Sequence, residues 1–187
     1  MEDDCTKLDQ IAQHLEYHIN DIKNLSTSII INSEIQDFIK QVQYSSQYDR
    51  LKRAQEKLDF LASQISLRDY IHSAAVVTID GTVWYTDMRA SPHDYFTSKL
   101  EEEWYKKYEE NGDQFYFSEP YMISNLTRGK LWERVISHIV QFRDINEPDR
   151  IIGYLFLNII VDHFEQQIRL NSSNYDSFFW VDREGEI

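Results

Sequence analysis

The sequence predicts an α+β fold: long helices first, an antiparallel sheet after them, and a further helix near the end. Two observations predict it. Met1 to Asp80 contains neither Gly nor Pro, so the opening segment carries no helix breaker. From about Tyr70 the apolar spacing changes from three-and-four to two, and the strand-like runs are joined by short turns. A chain of 187 residues buries roughly 70% of its unfolded surface, enough for a core without a metal or disulfide staple.

The elements follow in order. Leu8, Ile11, Leu15, His18, Ile22, Leu25, Ile29 and Asn32 recur at helical a/d spacing. That stripe either packs on its own domain or pairs with a second copy, and its polar members His18 and Asn32 suit register selection. Ser33-Glu-Ile-Gln36 has capping-box spacing and predicts a break and restart near Asn32. Ile35, Phe38, Ile39 and Val42 mark a short helix, interrupted at Tyr44-Ser-Ser-Gln47. Leu51, Ala54, Leu58, Leu61 and Ile65 mark another. Ile71 to Ile79 alternates as a strand, Asp80-Gly81 is a two-residue hairpin turn, and Thr82 to Thr86 is the returning strand. Asp94 to Glu110 reads as a helix closed by Asn111-Gly112. Three β-like runs follow, Gln114 to Ile123, Lys130 to Arg143 and Ile151 to Ile160, with a turn at Asn146-Glu-Pro-Asp149. Asp162 to Leu170 is helical with Asp162 as N-cap. Phe179 to Ile187 echoes the Val76 to Val83 hairpin, as if a second, similar module begins there.

Composition excludes several functions. Asp plus Glu number 32 against 19 Lys plus Arg, a net charge of −13. Such a chain has no basic stripe for phosphates and no attraction to an anionic membrane surface, so no nucleic acid is expected as a partner. Aromatics at 14% exclude intrinsic disorder. No apolar run reaches the roughly 18 residues a membrane span needs. Met1-Glu-Asp-Asp is acidic where a secretory leader is basic. The single cysteine, Cys5, excludes an intramolecular disulfide and a cysteine-based zinc cluster.

Catalytic patterns are missing. Five glycines include no phosphate-cradling loop or dinucleotide fingerprint, and no Gly-x-Ser-x-Gly elbow exists. His14 and His18 share a helix face four residues apart, but no Glu-x-x-His frame or third ligand accompanies them. No catalytic residue, metal or cofactor is therefore assigned.

A long N-terminal helix, the Val76-Val-Thr-Ile-Asp-Gly81 hairpin, the run Glu103-Trp-Tyr-Lys-Lys-Tyr-Glu-Glu-Asn-Gly112 and the strand Ile151 to Ile160 occur here in one order and spacing. In this the chain resembles the double Cache sensor domains, PAS-like extracytoplasmic modules of bacterial sensor histidine kinases and chemoreceptors. The resemblance covers nearly the whole chain, though no single motif is diagnostic. It implies N-terminal helices over 1–69, a membrane-distal Cache module over 70–161, and a connecting helix with the start of a membrane-proximal module over 162–187. It also implies anchoring by membrane segments outside these residues, a homodimeric receptor and a small-molecule ligand. A chemotaxis receptor or a PAS-like protein-interaction domain stays open as an alternative.

Binding rests on the aromatics. Pockets join aromatic walls to a few polar groups, and a buried Tyr or Trp leaves a donor to be satisfied. The candidates are Trp84, Tyr95, Trp104, Tyr105, Tyr121, Arg134, His138 and Asn158. The resemblance places Trp104 and Tyr105 along the pocket and Tyr121 on the next strand. Amino-acid-binding relatives carry an Arg two residues before the Trp, where Glu102 stands, and an Asp where Asn158 follows Gly153. Arg134 or Arg128 is the available substitute for that clamp. With Glu and Asn in those places, a sugar or a cation is favoured over an amino acid.

Overall fold

A computed structural model describes residues 2–41, 47–86, 116–125 and 130–171. The interruption at Tyr44, the helix Asp94 to Glu110 with its Asn111-Gly112 stop, and the echo at Phe179 to Ile187 lie outside the described residues.

Three helices open the chain: α1 (Glu2–Ile30), α2 (Ser33–Gln41) and α3 (Gln47–Ile65). The apolar stripe of α1 faces the domain's own interior, with Ile11, His18, Ile22, Leu25 and Ile29 buried and Leu15 packed beside them. Ile35, Phe38 and Ile39 of α2 and Ala54, Leu58, Leu61 and Ile65 of α3 join the same core, at the predicted spacing.

The break between α1 and α2 falls where expected, but its chemistry differs. Asn32, not Ser33, caps α2: its Oδ1 accepts from Ile35 N at 3.1 Å. Gln36 does not complete a box. Its buried amide donates to Ile30 O (2.7 Å) and Arg143 O (2.8 Å), and its Oε1 accepts from Ile145 N (3.0 Å). One side chain thus ties the helix corner to a distant turn. Lys40 reinforces that corner through Asp144, at 3.0 Å. The Asn146 backbone N–H first, and Lys40 second, hold the Asp144 carboxyl below its ordinary range.

Six strands form one antiparallel sheet: β1 (Ile71–Thr78), β2 (Val83–Tyr85), β3 (Tyr116–Phe117), β4 (Tyr121–Asn125), β5 (Lys130–Arg143) and β6 (Ile151–Ile160). Their order is β2-β1-β6-β5-β3, with β4 also paired to β5. The β1–β2 loop, Ile79 to Thr82, is four residues long rather than two. Gly81 N bonds back to Thr78 O at 2.9 Å, and Gly81 supplies the left-handed conformation at φ 82°. The run after Gln114 divides into two short strands. Pro120 has no N–H for the ladder, and the pairing with β5 shifts by one residue there, from Tyr116↔Ile139 to Tyr121↔Val135. The turn near Asn146 is as expected, closed by Asp144 N to Arg150 O at 2.9 Å. Helix α4 (Val161–Asn171) follows β6 directly, so Asp162 sits in its first turn and not at the cap.

Helices α1 to α3 cover one face of the sheet, where Ala74, Val76, Phe142, Leu155, Leu157 and Ile159 are buried with them. Ala75, Val77, Val135, Ile139, Tyr154 and Phe156 form a second buried cluster on the opposite face. Both faces of β1 and β6 are therefore apolar, and simple alternation is lost.

Gly153 lies on β6 opposite Thr78 of β1. A Cβ there would lie 2.6 Å from Val77 O, a backbone atom in the paired strand. Gly153→Ala is expected to cost about 2–3 kcal/mol in urea denaturation. A change below about 0.5 kcal/mol would mean that the two central strands are free to separate locally.

Candidate functional site

Across the face opposite the helices runs a chain of neutral polar side chains set in the apolar cluster. Strand register creates it. Ser73 and Ser137 are the Cα partners of Asn158 on either side of β6. Cross-strand partners share a face, so the three meet. Asn158 Nδ2 donates to Ser73 Oγ at 2.9 Å, and Asn158 Oδ1 accepts from Ser137 Oγ at 2.7 Å and Tyr121 Oη at 2.8 Å. Tyr121 Oη and Ser137 Oγ are themselves 2.7 Å apart. Ser73 Oγ lies 2.9 Å from Tyr85 Oη and 2.7 Å from His72 Nδ1.

Asn158, Ser137 and Ser73 are essentially inaccessible, and Tyr121 is half-buried at the margin. The oxygens of Tyr121, Ser137 and Asn158 form a triangle in which two hydroxyl protons serve three contacts. Glu133, also buried, stands on the same face beside Ile123, its cross-strand partner.

The eight sequence candidates divide. Tyr121 and Asn158 come together in this network. Tyr95, Trp104 and Tyr105 lie outside the described residues. Trp84, Arg134 and His138 occupy the other face, because residues one apart on a strand point opposite ways. Trp84 packs edge-on against Phe38 of α2, with ring centroids 5.3 Å apart. Arg134 reaches Glu165 and, at 3.5 Å, Asp162, so its charge ties β5 to α4. His138 lies under α1, with Nε2 3.1 Å from Ser26 Oγ. Burial, aided by the Lys23 charge, pushes the His138 pKa down to about 3, so the imidazole is neutral.

Ser73 and Ser137 are network members the sequence reading passed over. Their signal is a lone small polar residue inside an apolar run, as in Val135-Ile-Ser-His-Ile139. It becomes meaningful only when register places three such residues in one row. Among the described residues, no group of three His, Cys, Asp or Glu side chains could hold a metal ion. None of the described helices is long and apolar enough to cross a membrane.

No family model matches the sequence, and no curated protein matches it. Solved structures do. The extracellular domain of a proposed histidine kinase, vpHK1S-Z8, superposes with a TM-score of 0.61 at 10% identity, over 89% of this chain and 61% of that one. A domain of a proposed sensory box/GGDEF family protein from Vibrio parahaemolyticus gives 0.55 at 11% identity, over 88% and 61%. This chain shares the PAS-like α+β fold of these two domains. The sensory domain of the Campylobacter jejuni chemoreceptor Tlp3 (CcmL), with isoleucine bound, is more distant: 0.46 at 13% identity, over 85% and 60%. The chain spans 61% of the length of the first two structures.

Within this fold, Asn158 should matter most to the network, because three hydroxyl-bearing side chains share it. Asn158→Leu is expected to cost about 3 kcal/mol, since Ser73, Ser137 and Tyr121 each lose a partner. Tyr121→Phe should cost about 1 kcal/mol. Chemical denaturation of both variants checks the ranking, and the reverse order would mean that the network is not centred on Asn158.

Proposed function

We propose that this chain is the extracytoplasmic ligand-sensing domain of a membrane-bound sensor histidine kinase. A small molecule binds on the sheet face that carries Asn158, and α1 transmits the signal. The supporting observation is the Asn158 network: a connected, uncharged row of donors and acceptors on the face opposite α1 to α3, in a fold used for sensing. In this reading residues 70–161 are the membrane-distal module, and 162–187 lead into a membrane-proximal one. Membrane segments outside these residues anchor the receptor, which works as a homodimer.

The ligand class follows from the donor set. An α-amino acid needs a cationic group for its carboxylate, and Arg134 is committed to α4 on the opposite face. Hydroxyls and a carboxamide suit a hydroxyl-rich neutral ligand such as a sugar, while Glu133 on the same face suits a cationic group. Trp104 and Tyr105 complete the proposed pocket on the strength of the sequence resemblance.

A thermal-shift screen with sugars, polyamines, amino acids and dicarboxylates tests this reading. A ligand at about 100 times its Kd stabilises the native state by roughly 2.7 kcal/mol, a Tm rise of roughly 5–10 °C for this size. The expected hit is a sugar or polyamine whose shift is lost in Tyr121→Phe and Trp104→Ala, both still folded. An amino-acid hit would overturn the ligand class. A hit indifferent to Tyr121, or no hit with a folded protein, would overturn the site.

A further inference from the structure

Two histidines are buried where α1 meets the rest of the domain. His18, near the middle of α1, is 7% exposed, and neither ring nitrogen has a hydrogen-bond partner among the described residues. Its ring is enclosed edge-on by other rings: His14 of α1 at 4.5 Å, Tyr70 at 4.6 Å, and Phe164 and His163 of α4 at 5.3 and 6.2 Å. His138 lies two turns further along α1, fully buried on β5, beside Ser26 and under the Phe117 ring at 4.6 Å. Both sites therefore hold an imidazole in an apolar or ring-lined cavity closed by α1 itself.

We propose that α1 is a proton-sensitive element, docked on the sheet through His18 and His138 in their neutral forms and released as the surroundings become acidic. Protonating a buried imidazole places a charge where water cannot solvate it. The charged groups nearby do not reverse this. Facing His18 are His14 from its own helix and His163 from α4, both of which oppose a second positive charge. Asp21 on α1 and Asp69 in the turn before β1 favour it, but burial outweighs them and lowers the pKa. Asp21 is moreover engaged by Arg68, at 2.7 and 2.8 Å, and by Tyr70. Facing His138 are Lys23 of α1, which opposes protonation, and the Tyr116 backbone of β3, which favours it weakly.

The sign follows from linkage. Both docked pKa values lie below the ordinary 6.5, so the released state binds more protons, and docking is complete above pH 6.5 and weakens as pH falls below it. For His138 alone, a docked pKa of about 3 shifts the docking equilibrium about 30-fold between pH 7.5 and pH 5. The lowered carboxylates Asp21, Glu34 and Asp144 start from ordinary values of 3.8 to 4.5, so they lose their contribution below this window.

Hydrogen exchange at pH 7.5 and pH 5, corrected for intrinsic rates, separates helix release from global unfolding. Protection of the Ile22 to Ile29 amides should fall at least tenfold while Leu155 to Ile159 stays protected. The fall should vanish in the double variant His18→Phe/His138→Gln, which keeps a ring at one site and a polar group beside Ser26 at the other. Helix and sheet losing protection together, no loss at all, or a loss that persists in the double variant would overturn the proposal. Should that variant fail to fold, NMR titration of the wild-type imidazoles decides. Resonances of His18 and His138 that stay neutral until α1 releases support it, and ordinary titration near pH 6.5 with α1 still protected overturns it.

Discussion

Strand β6 is the constraint on which the rest depends. It is paired to β1 on one edge and β5 on the other, and buried on both faces. A strand in that position has no contact with water through which to satisfy a polar side chain. Its sequence, Ile151-Ile-Gly-Tyr-Leu-Phe-Leu-Asn-Ile-Ile160, accordingly offers one carboxamide. Asn158 is tolerated because β1 and β5 each place a serine directly opposite it, and Tyr121 adds a third hydroxyl. Leaving such a group unpaired costs about 1–3 kcal/mol, so the partners are as necessary to the core as its leucines.

The same strand dictates how the helices attach. Its helix-facing side is wholly apolar, so α1 to α3 dock by burial, and their orientation is set by polar contacts at the margins. One is the Gln36 amide with Lys40 and Asp144 at the β5–β6 turn. Another is Asp21, held by Arg68 in bidentate fashion and by Tyr70 where the chain enters β1. Arg68 is the main cause that keeps the Asp21 carboxyl below its ordinary range. The Arg68–Asp21 pair is partly exposed, and its worth lies in geometry more than in energy. These marginal contacts fix the position of α1 along the sheet, which apolar packing alone leaves free to slide.

Helices were legible in the sequence because a single buried face enforces the period of 3.6, and the stripe from Ile11 to Ile29 is buried as its spacing implies. Strands were legible as apolar runs, but their faces were not. With both sides of β1 and β6 buried, nothing in Ile71 to Thr78 says which way a given side chain points. Trp84, Arg134 and His138 were grouped with Tyr121 and Asn158 on chemistry, and the register separates them. Asn32 displaced Ser33 as the cap, and Gln36 left its box, because a tertiary partner 107 residues away competes for the same amide. Non-local competition of that kind leaves no trace in a local pattern. The lone serines 73 and 137 did leave one, though only pairing turns three separate polar residues into a network.

Ser137 and His138 are neighbours on β5, and the pleat sends one to each side. Ser137 joins Asn158 and Tyr121 on one face, while His138 lies beside Ser26 of α1 on the other. A ligand that draws Ser137 or Tyr121 away from Asn158 acts on a backbone segment whose next side chain supports the helix. The strand itself is rigid, paired on both edges, so a displacement there is passed on rather than absorbed locally. Any effect on α1 would be limited by the ligand's difference in affinity between two conformations of the domain, since equal binding to both moves nothing. In the proposed proton response, the same helix is reached from the other side, through His138 and His18. Under both proposals, two inputs would meet on one helix: one read by neutral hydrogen bonds, the other by the cost of charging a buried imidazole.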